Sequence, residues 1–173
     1  MKTKTTWLDQ LYQRIIRIAA HRHANSALAG VSFAESSVFP IPPDIMLVPM
    51  VLAKPRKAFW IATICTIASV LGGALGYYIG HELYELVGRP IIEFYHQTEK
   101  FNGLRNEYNK WGAWIVFVAG ITPIPYKVFT IASGAANLDF WIFVLASIVS
   151  RGLRFFGISL ILYVFGDAMR VFI

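Results

Sequence analysis

Long apolar runs dominate the chain, and closely spaced prolines break two of these runs near their middles. Each run, residues 26–53 and residues 112–138, has room for two arms of roughly 20 Å of helix, too short to cross a membrane's hydrocarbon core. Proline lacks a backbone N–H and restricts the residue before it, so a helix ends there. Each run is predicted to form two helical arms meeting at a broken tip. The expected breakers are Pro40, Pro42, Pro43, Pro123 and Pro125.

Two other apolar runs predict helices that cross a membrane. Residues 58–80 contain no charged side chain and correspond to about 35 Å of helix. Residues 140–166 are also apolar but carry Arg151 and Arg154. We expect a second crossing there, interrupted near residues 150–152, with two helices meeting at that point as the alternative.

The remaining stretches are amphipathic or mixed. Residues 5–22 place apolar side chains at three- and four-residue spacing, which predicts a helix lying in the membrane interface or packed on protein. Residues 81–111 mix acidic, basic and apolar positions, and we expect surface helices on the periplasmic side.

The second half of the chain repeats the plan of the first. Asp44 and Lys127 close two related motifs and stand 83 positions apart, and the same offset carries residues 58–80 onto residues 141–163. We predict a single all-α integral membrane domain over residues 1–173. It would contain two copies, about 5–80 and 81–166, each of an interfacial helix, a re-entrant helical hairpin and a transmembrane helix. Because each copy crosses once, the second must be inverted in the bilayer.

Composition supports the membrane class. Hydrophobic residues make up 56% of the chain and charged residues only 15%, whereas soluble domains average about 25% charge. The net charge of +6 does not indicate nucleic-acid binding, because the basic residues flank apolar runs. Basic residues on both sides of residues 26–53 favour a hairpin that enters and leaves on the cytoplasmic side, with a cytoplasmic N-terminus. No signal peptide is visible.

Five ionisable side chains within the apolar runs form the candidate site: the acids Glu35 and Asp44 and the cations Lys127, Arg151 and Arg154. Unpaired charges in a membrane cost several kcal/mol, so we expect pairing, with about one positive charge left for an anionic ligand. The repeat predicts that Asp44 faces Lys127. The acids either carry protons or form structural salt bridges, and the cations either bind phosphate or balance the acids.

Other residue types narrow the choice of function. The single cysteine, Cys65, excludes an internal disulfide and a cysteine-based zinc site. No histidine follows His96, no nucleotide-binding loop is present, and no enzyme activity, metal or cofactor is expected. Three glycines four residues apart, at 72, 76 and 80, indicate either packing within the chain or a homo-oligomer face.

The motifs resemble the DedA family, also called the VTT or SNARE-associated Golgi protein family. They are Glu35-Ser-Ser-x-Phe-Pro-Ile-Pro-Pro-Asp44, then Thr122-Pro-Ile-Pro-Tyr-Lys127 leading to Ala132-Ser-Gly134, and a last helix with glycine and arginine. The resemblance covers roughly residues 26–166 and is nearest to the short YqaA-like branch. Many members carry an arginine pair in the second hairpin. Here Gly120 stands near the first position, Lys127 supplies the charge, and Arg151 and Arg154 would compensate.

The resemblance implies movement of a membrane lipid, undecaprenyl phosphate or a phospholipid, across a bacterial inner membrane, with Glu35 and Asp44 similar to the family's essential acids. We therefore expect a multi-pass lipid transporter in which Lys127, Arg151 and Arg154 hold an anionic head group. Proton binding at the acids would be coupled to its release. The alternatives are a protein that organises lipids or partners without transport, and a proton-coupled transporter of a small solute.

Overall fold

The structure is a computed structural model that describes residues 23–37, 42–94, 98–122 and 124–170. The interfacial helix predicted over residues 5–22 and the breakers Pro40 and Pro123 lie outside these ranges. Within them every regular element is helical. The described α-helices are α1 (Ala24–Ser37), α2 (Asp44–Ala53), α3 (Ala58–Leu83), α4 (Arg89–Phe94), α5 (Thr98–Ile121), α6 (Tyr126–Ala135) and α7 (Phe140–Arg170).

Two helical stretches, Pro55–Phe94 and Phe140–Gly166, are long and apolar enough to cross a membrane. The first contains α3, preceded by a 3₁₀ turn at Pro55–Lys57 and followed by a π turn at Tyr84–Gly88. The second lies within α7.

The predicted separation of each proline-containing run into two helices is confirmed. In the first run, α1 ends at Ser37 and α2 begins at Asp44, directly after Pro43. In the second, α5 ends at Ile121 and α6 begins at Tyr126, directly after Pro125. We call Pro42 and Pro43 the first tip, and Ile124 and Pro125 the second tip.

Two predicted boundaries are wrong. The helix over residues 140–166 is not interrupted near residues 150–152, because α7 continues through Arg151. The helix can continue there because both polar side chains have hydrogen-bond partners. Arg151 donates to side chains of other helices, and the Ser150 hydroxyl donates to the carbonyl of Ser147 within α7. The boundary between the surface segment of residues 81–111 and the run of residues 112–138 is also not a helix end, because α5 continues through Gly112, which packs against Leu138.

The long helices α3 and α7 pack together in antiparallel directions. Near the start of α3, the ring of Phe59 lies 6.0 Å from the ring of Tyr163, near the end of α7. Near the end of α3, the ring of Tyr77 lies 5.5 Å from the ring of Phe140, the first residue of α7. A short helix that packs parallel to α3 and one that packs parallel to α7 therefore run toward opposite ends of the bundle.

The two helices that begin at the tips, α2 and α6, each pack alongside a different long helix. Along α7, α2 begins where Asp44 bonds Arg154 and ends where Leu52 lies beside Gly166. Along α3, α6 begins where Tyr126 lies beside Gly73 and ends near Tyr77. Because α3 and α7 are antiparallel, α2 and α6 extend from the tips toward opposite ends of the bundle, and both tips lie near the middle of the long helices.

Buried apolar side chains form two clusters on either side of this middle level. The larger one joins α1 and α2 to the first half of α3 and the second half of α7, around Leu28, Leu47 and Phe155. The smaller one joins α5, α6 and the start of α7, around Val116 and Phe143. The polar and charged side chains discussed below lie between the two clusters.

The spaced glycines of α3 are used within the chain. A Cβ atom on Gly72 would overlap the carbonyl oxygen of Phe33 in α1, and one on Gly80 would overlap that of Ile131 in α6. A Cβ atom on Gly76 would overlap the side-chain hydroxyl of Thr130 in α6. Packing within the chain, one of the two alternatives for this spacing, is therefore what the structure shows for these glycines.

Gly80→Ala should destabilise the protein by about 1–3 kcal/mol or more, because the added methyl group overlaps backbone that cannot move without displacing α6. Gly30→Ala is the matched control, since nothing lies within 4 Å of a Cβ at this exposed helical position. It should be neutral or stabilise by up to about 1 kcal/mol. Thermal unfolding midpoints in detergent measure both, and equal midpoints for the two variants would contradict this packing.

Candidate functional site

Arg151 lies at the centre of the bundle, with only 1% of its side chain exposed. Its Nε donates to Ser69 Oγ of α3 at 2.6 Å, and its Nη2 donates to Ser36 Oγ of α1 at 3.1 Å and to the carboxylate of Glu35. Its guanidinium carbon lies 4.6 Å from the centre of the Tyr126 ring of α6. One side chain of α7 thus contacts three other helices.

The chemistry of arginine suits this position. A planar guanidinium can donate in its own plane while aromatic rings cover its faces, and Phe155 adds a second ring at 5.1 Å. The Tyr126 hydroxyl is bonded to Ser147 Oγ at 2.5 Å, so the ring is held in place. Glu35, whose side chain is 12% exposed, supplies the compensating charge that a buried cation needs.

Arg154, one helical turn further along α7, connects the two tips. Its Nη2 donates to Asp44 Oδ2 at 2.5 Å, at the start of α2, and its Nη1 donates to the carbonyl of Thr122 at 2.7 Å, just beyond α5. The last carbonyls of a helix have no partner within it, so Arg154 satisfies a group that the proline break leaves open. This pair is more exposed than the first, at 14% for Arg154 and 27% for Asp44.

A cavity of about 90 Å³ lies between the tips. This volume is large enough for several water-sized groups. Beside it, Asp44 Oδ1 is buried and has no hydrogen-bond partner in the described part of the chain. The cavity is lined by Glu35, Pro42, Pro43, Ile124, Pro125, Lys127 and Arg154.

Two helix N-termini point at this cavity. The residues that precede α2 and α6, Pro43 and Pro125, both line it, and neither makes a side-chain cap hydrogen bond. At the C-termini that approach the same level, Arg154 donates to the Thr122 carbonyl, and Thr130 Oγ1, which lies 2.9 Å from the Lys127 carbonyl of its own helix, lies 3.3 Å from the Ser36 carbonyl. Helix N-termini carry partial positive charge, so the backbone here favours an anion.

The structure brings all five candidate charges to one region. Glu35, Lys127 and Arg154 line the cavity, Asp44 bonds Arg154, and Arg151 bonds Glu35 without reaching the cavity wall. The ion pair observed for Asp44 is with Arg154, whereas the repeat predicted that it faces Lys127. Arg154 can reach the first turn of α2 because α2 runs along α7.

Sequence reasoning missed three partners of this network: Ser69, Tyr126 and the Thr122 carbonyl. Ser69 is one small residue in an apolar run, and a backbone carbonyl has no sequence signal. Tyr126 follows a proline inside the second motif. That position predicts the start of a helix, but it does not predict that the Tyr126 ring lies against Arg151. Among the described residues, no group of three or more His, Cys, Asp or Glu side chains could hold a metal ion.

Comparisons with known proteins give a consistent result. A family model described as the VTT domain matches residues 41–164. A protein of Haemophilus influenzae is 41% identical over 145 residues, 84% of this chain and 75% of that protein. A Methanocaldococcus jannaschii protein is 28% identical over 125 residues, 72% of this chain and 74% of that one. Both are described as uncharacterized, and no solved structure matches.

Arg151→Met should destabilise the protein by about 3–5 kcal/mol, because Glu35 keeps a charge without its partner. Combining it with Glu35→Gln should recover most of the loss, since no uncompensated charge then remains. Lys110→Met is the control, because the Lys110–Glu107 pair is well exposed and should contribute under about 1 kcal/mol. Unfolding in detergent measures all of them. An Arg151→Met variant as stable as Lys110→Met would contradict the role of this pair.

Proposed function

Because this chain belongs to the VTT-domain family, the DedA family, whose members are associated with membrane transport and lipid-related roles, we propose that it moves an anionic lipid between the two leaflets of a membrane. The lipid would carry a phosphate head group, as undecaprenyl phosphate and phospholipids do. We place the protein in a bacterial inner membrane with its N-terminus in the cytoplasm, and assign it no chemical reaction.

The helix directions support the inverted repeat that this proposal needs. At the offset of 83 residues, α2 corresponds to α6 and α3 to most of α7. The contacts correspond too, since α2 runs along α7 as α6 runs along α3, and the equivalent long helices are antiparallel. Two hairpins that enter from opposite ends and stop halfway are the expected form of re-entrant hairpins.

The surface supports placement in a membrane. Trp60, near the start of α3, and Tyr163, near the end of α7, are exposed at one end of the bundle, and Trp141 is exposed at the other. Aromatic side chains with a polar atom favour the two membrane–water interfaces. Between them, α7 exposes only apolar side chains such as Leu145, Leu153 and Leu160.

The observation that carries the proposal is the cavity at the meeting point of the tips. Lys127, Arg154 and two helix N-termini converge there, near the middle level of the long helices. An arginine fork can bind two phosphate oxygens at once, and a lysine adds a point charge. A phosphate that crosses a bilayer needs such compensation at the centre, where an unpaired charge is most costly.

The two ion pairs then have different tasks. The better buried Glu35–Arg151 pair holds the helices together. The more exposed Asp44–Arg154 pair can be exchanged, so that an arriving phosphate takes Asp44's place on Arg154. The displaced carboxylate would remain as an unpaired charge, and taking up a proton removes that cost. Proton uptake by Asp44 would thus accompany head-group binding, whereas the sequence led us to expect it at head-group release.

One observation favours a second function, a membrane protein that organises lipids or partners without transport. Both acids are already paired with arginines. In this second function, the charges would have the single role of holding the hairpins in place. The two functions differ in whether the cavity cations affect lipid movement.

Lys127→Ala and Arg154→Met should each slow lipid movement about 10-fold or more, since one lost hydrogen bond to a charged group corresponds to about 1.5–3 kcal/mol. The assay is dithionite reduction of NBD-labelled phosphatidylglycerol, or of an NBD-labelled polyprenyl phosphate, in vesicles that contain the purified protein. Lys110→Ala, an exposed cation of α5 outside the cavity, is the control and should move lipid at the unmodified rate.

Variants that keep the unmodified thermal midpoint and still move both lipids at full rate would refute transport through this cavity. The organising function would then be favoured. A defect with only one of the two lipids would identify the head group that the cavity accepts.

A further inference from the structure

The cavity between the tips changes from polar to apolar from its inside toward its opening. Of the charged members of its lining, Glu35 and Arg154 are largely buried and Lys127 is half-buried. The exposed members are Pro42, Ile124 and Pro125, and Ile124 is 47% exposed. Whatever enters the cavity therefore passes side chains that offer it no hydrogen bond or charge.

Apolar exposure continues beyond the opening. Ile45, in the first turn of α2, and Val128, in the first turn of α6, are both exposed. These two residues come from different hairpins but lie next to the tips that frame the opening. An isolated exposed apolar residue needs no explanation, whereas several at and beside the opening of a charged cavity do.

The opening lies on the side of the bundle, far from either end. The second tip lies at the level of Gly73 in α3, at least ten residues from both ends of that helix. The first tip lies at the level of Arg154 in α7, at least fourteen residues from both ends. At 1.5 Å per residue, about 15 Å or more of helix extends on each side, roughly half a hydrocarbon core.

We infer that Pro42, Ile124 and Pro125 frame a lateral portal, through which the hydrocarbon tail of the bound lipid stays in the bilayer core while its phosphate occupies the cavity. The inference rests on the proposed function and adds the path of the tail. The cavity, at about 90 Å³, has room for a small head group and none for a long chain, so the tail must lie outside it. The exposed apolar residues at the opening are what such a tail would contact.

The portal also selects the kind of ligand. A water-soluble phosphate would have to leave water, cross hydrocarbon and pass the apolar opening, which is costly for a charged group. For a lipid, this cost of leaving water applies to the head group alone, because the tail stays in the hydrocarbon. The cavity should therefore serve anions that carry a hydrocarbon tail.

Spin labels at Ile124 and Val128 test the position of the portal without requiring transport. Each position is changed to cysteine in a Cys65→Ala background, labelled with a nitroxide and reconstituted into phosphatidylglycerol-containing vesicles. Collisions with oxygen, which concentrates in hydrocarbon, are compared with collisions with a water-soluble nickel chelate. Leu145 on the exposed face of α7 and Lys100 on α5 provide the lipid and water references.

Labels at Ile124 and Val128 should match the Leu145 label, with high oxygen and low nickel accessibility. Labels that match Lys100 would overturn the inference, because the opening would then face water. This result does not depend on the cavity cations, so a failed portal and a failed Lys127→Ala or Arg154→Met prediction are distinguishable.

Ile124→Trp tests the portal by function. The larger side chain should obstruct the tail and cause a loss of lipid movement, whereas Leu145→Trp, at an exposed apolar position of α7 outside the cavity lining, should not. If Lys127→Ala slows lipid movement while a stable Ile124→Trp does not, the portal is wrong and the proposed function stands. If Ile124→Trp fails to fold, the spin-label comparison decides alone.

Discussion

Charge compensation in the middle of an apolar bundle is the constraint on which this structure depends. The helix ends at both tips lie between two buried apolar clusters, so their backbone groups and acidic side chains need partners from the protein. Arg151 and Arg154, both on α7, supply them, by bonding Glu35 and Asp44 and by capping the end of α5. These two side chains therefore connect α7 to α1, to α2 and to the end of α5.

The two arginines differ because their surroundings differ. Arg151 is enclosed by rings and hydroxyl groups from three other helices, which makes its pair with Glu35 a fixed part of the packing. Arg154 lies at the cavity wall, where its pair with Asp44 is partly open. The same residue type is thus enclosed at one turn of α7 and partly open to the cavity at the next, and the two pairs differ in burial for that reason.

Glycine placement explains how four helices reach this level together. The backbone of α1 and of α6 approaches α3 at Gly72 and Gly80, where any side chain would hold them apart. The close approach brings Ser36, Ser69 and Tyr126 around Arg151. The pairing of the charges therefore depends on the close backbone packing that the glycines allow, because the same helix contacts produce both.

The sequence by itself determined what depends on neighbouring residues: the helix breaks at the prolines, the two long apolar helices, the offset of 83 between related motifs and the five charges of the site. It misjudged α7, where the local signal of a break, Arg151 with Gly152, is outweighed by partners elsewhere in the chain, and it placed a boundary at residue 112 inside the continuous helix α5. Only the tertiary structure decided which acid meets which cation, that Arg151 is buried while Lys127 and Arg154 line the cavity, and that the opening is apolar. Those choices depend on helix direction and rotation, which local sequence does not encode.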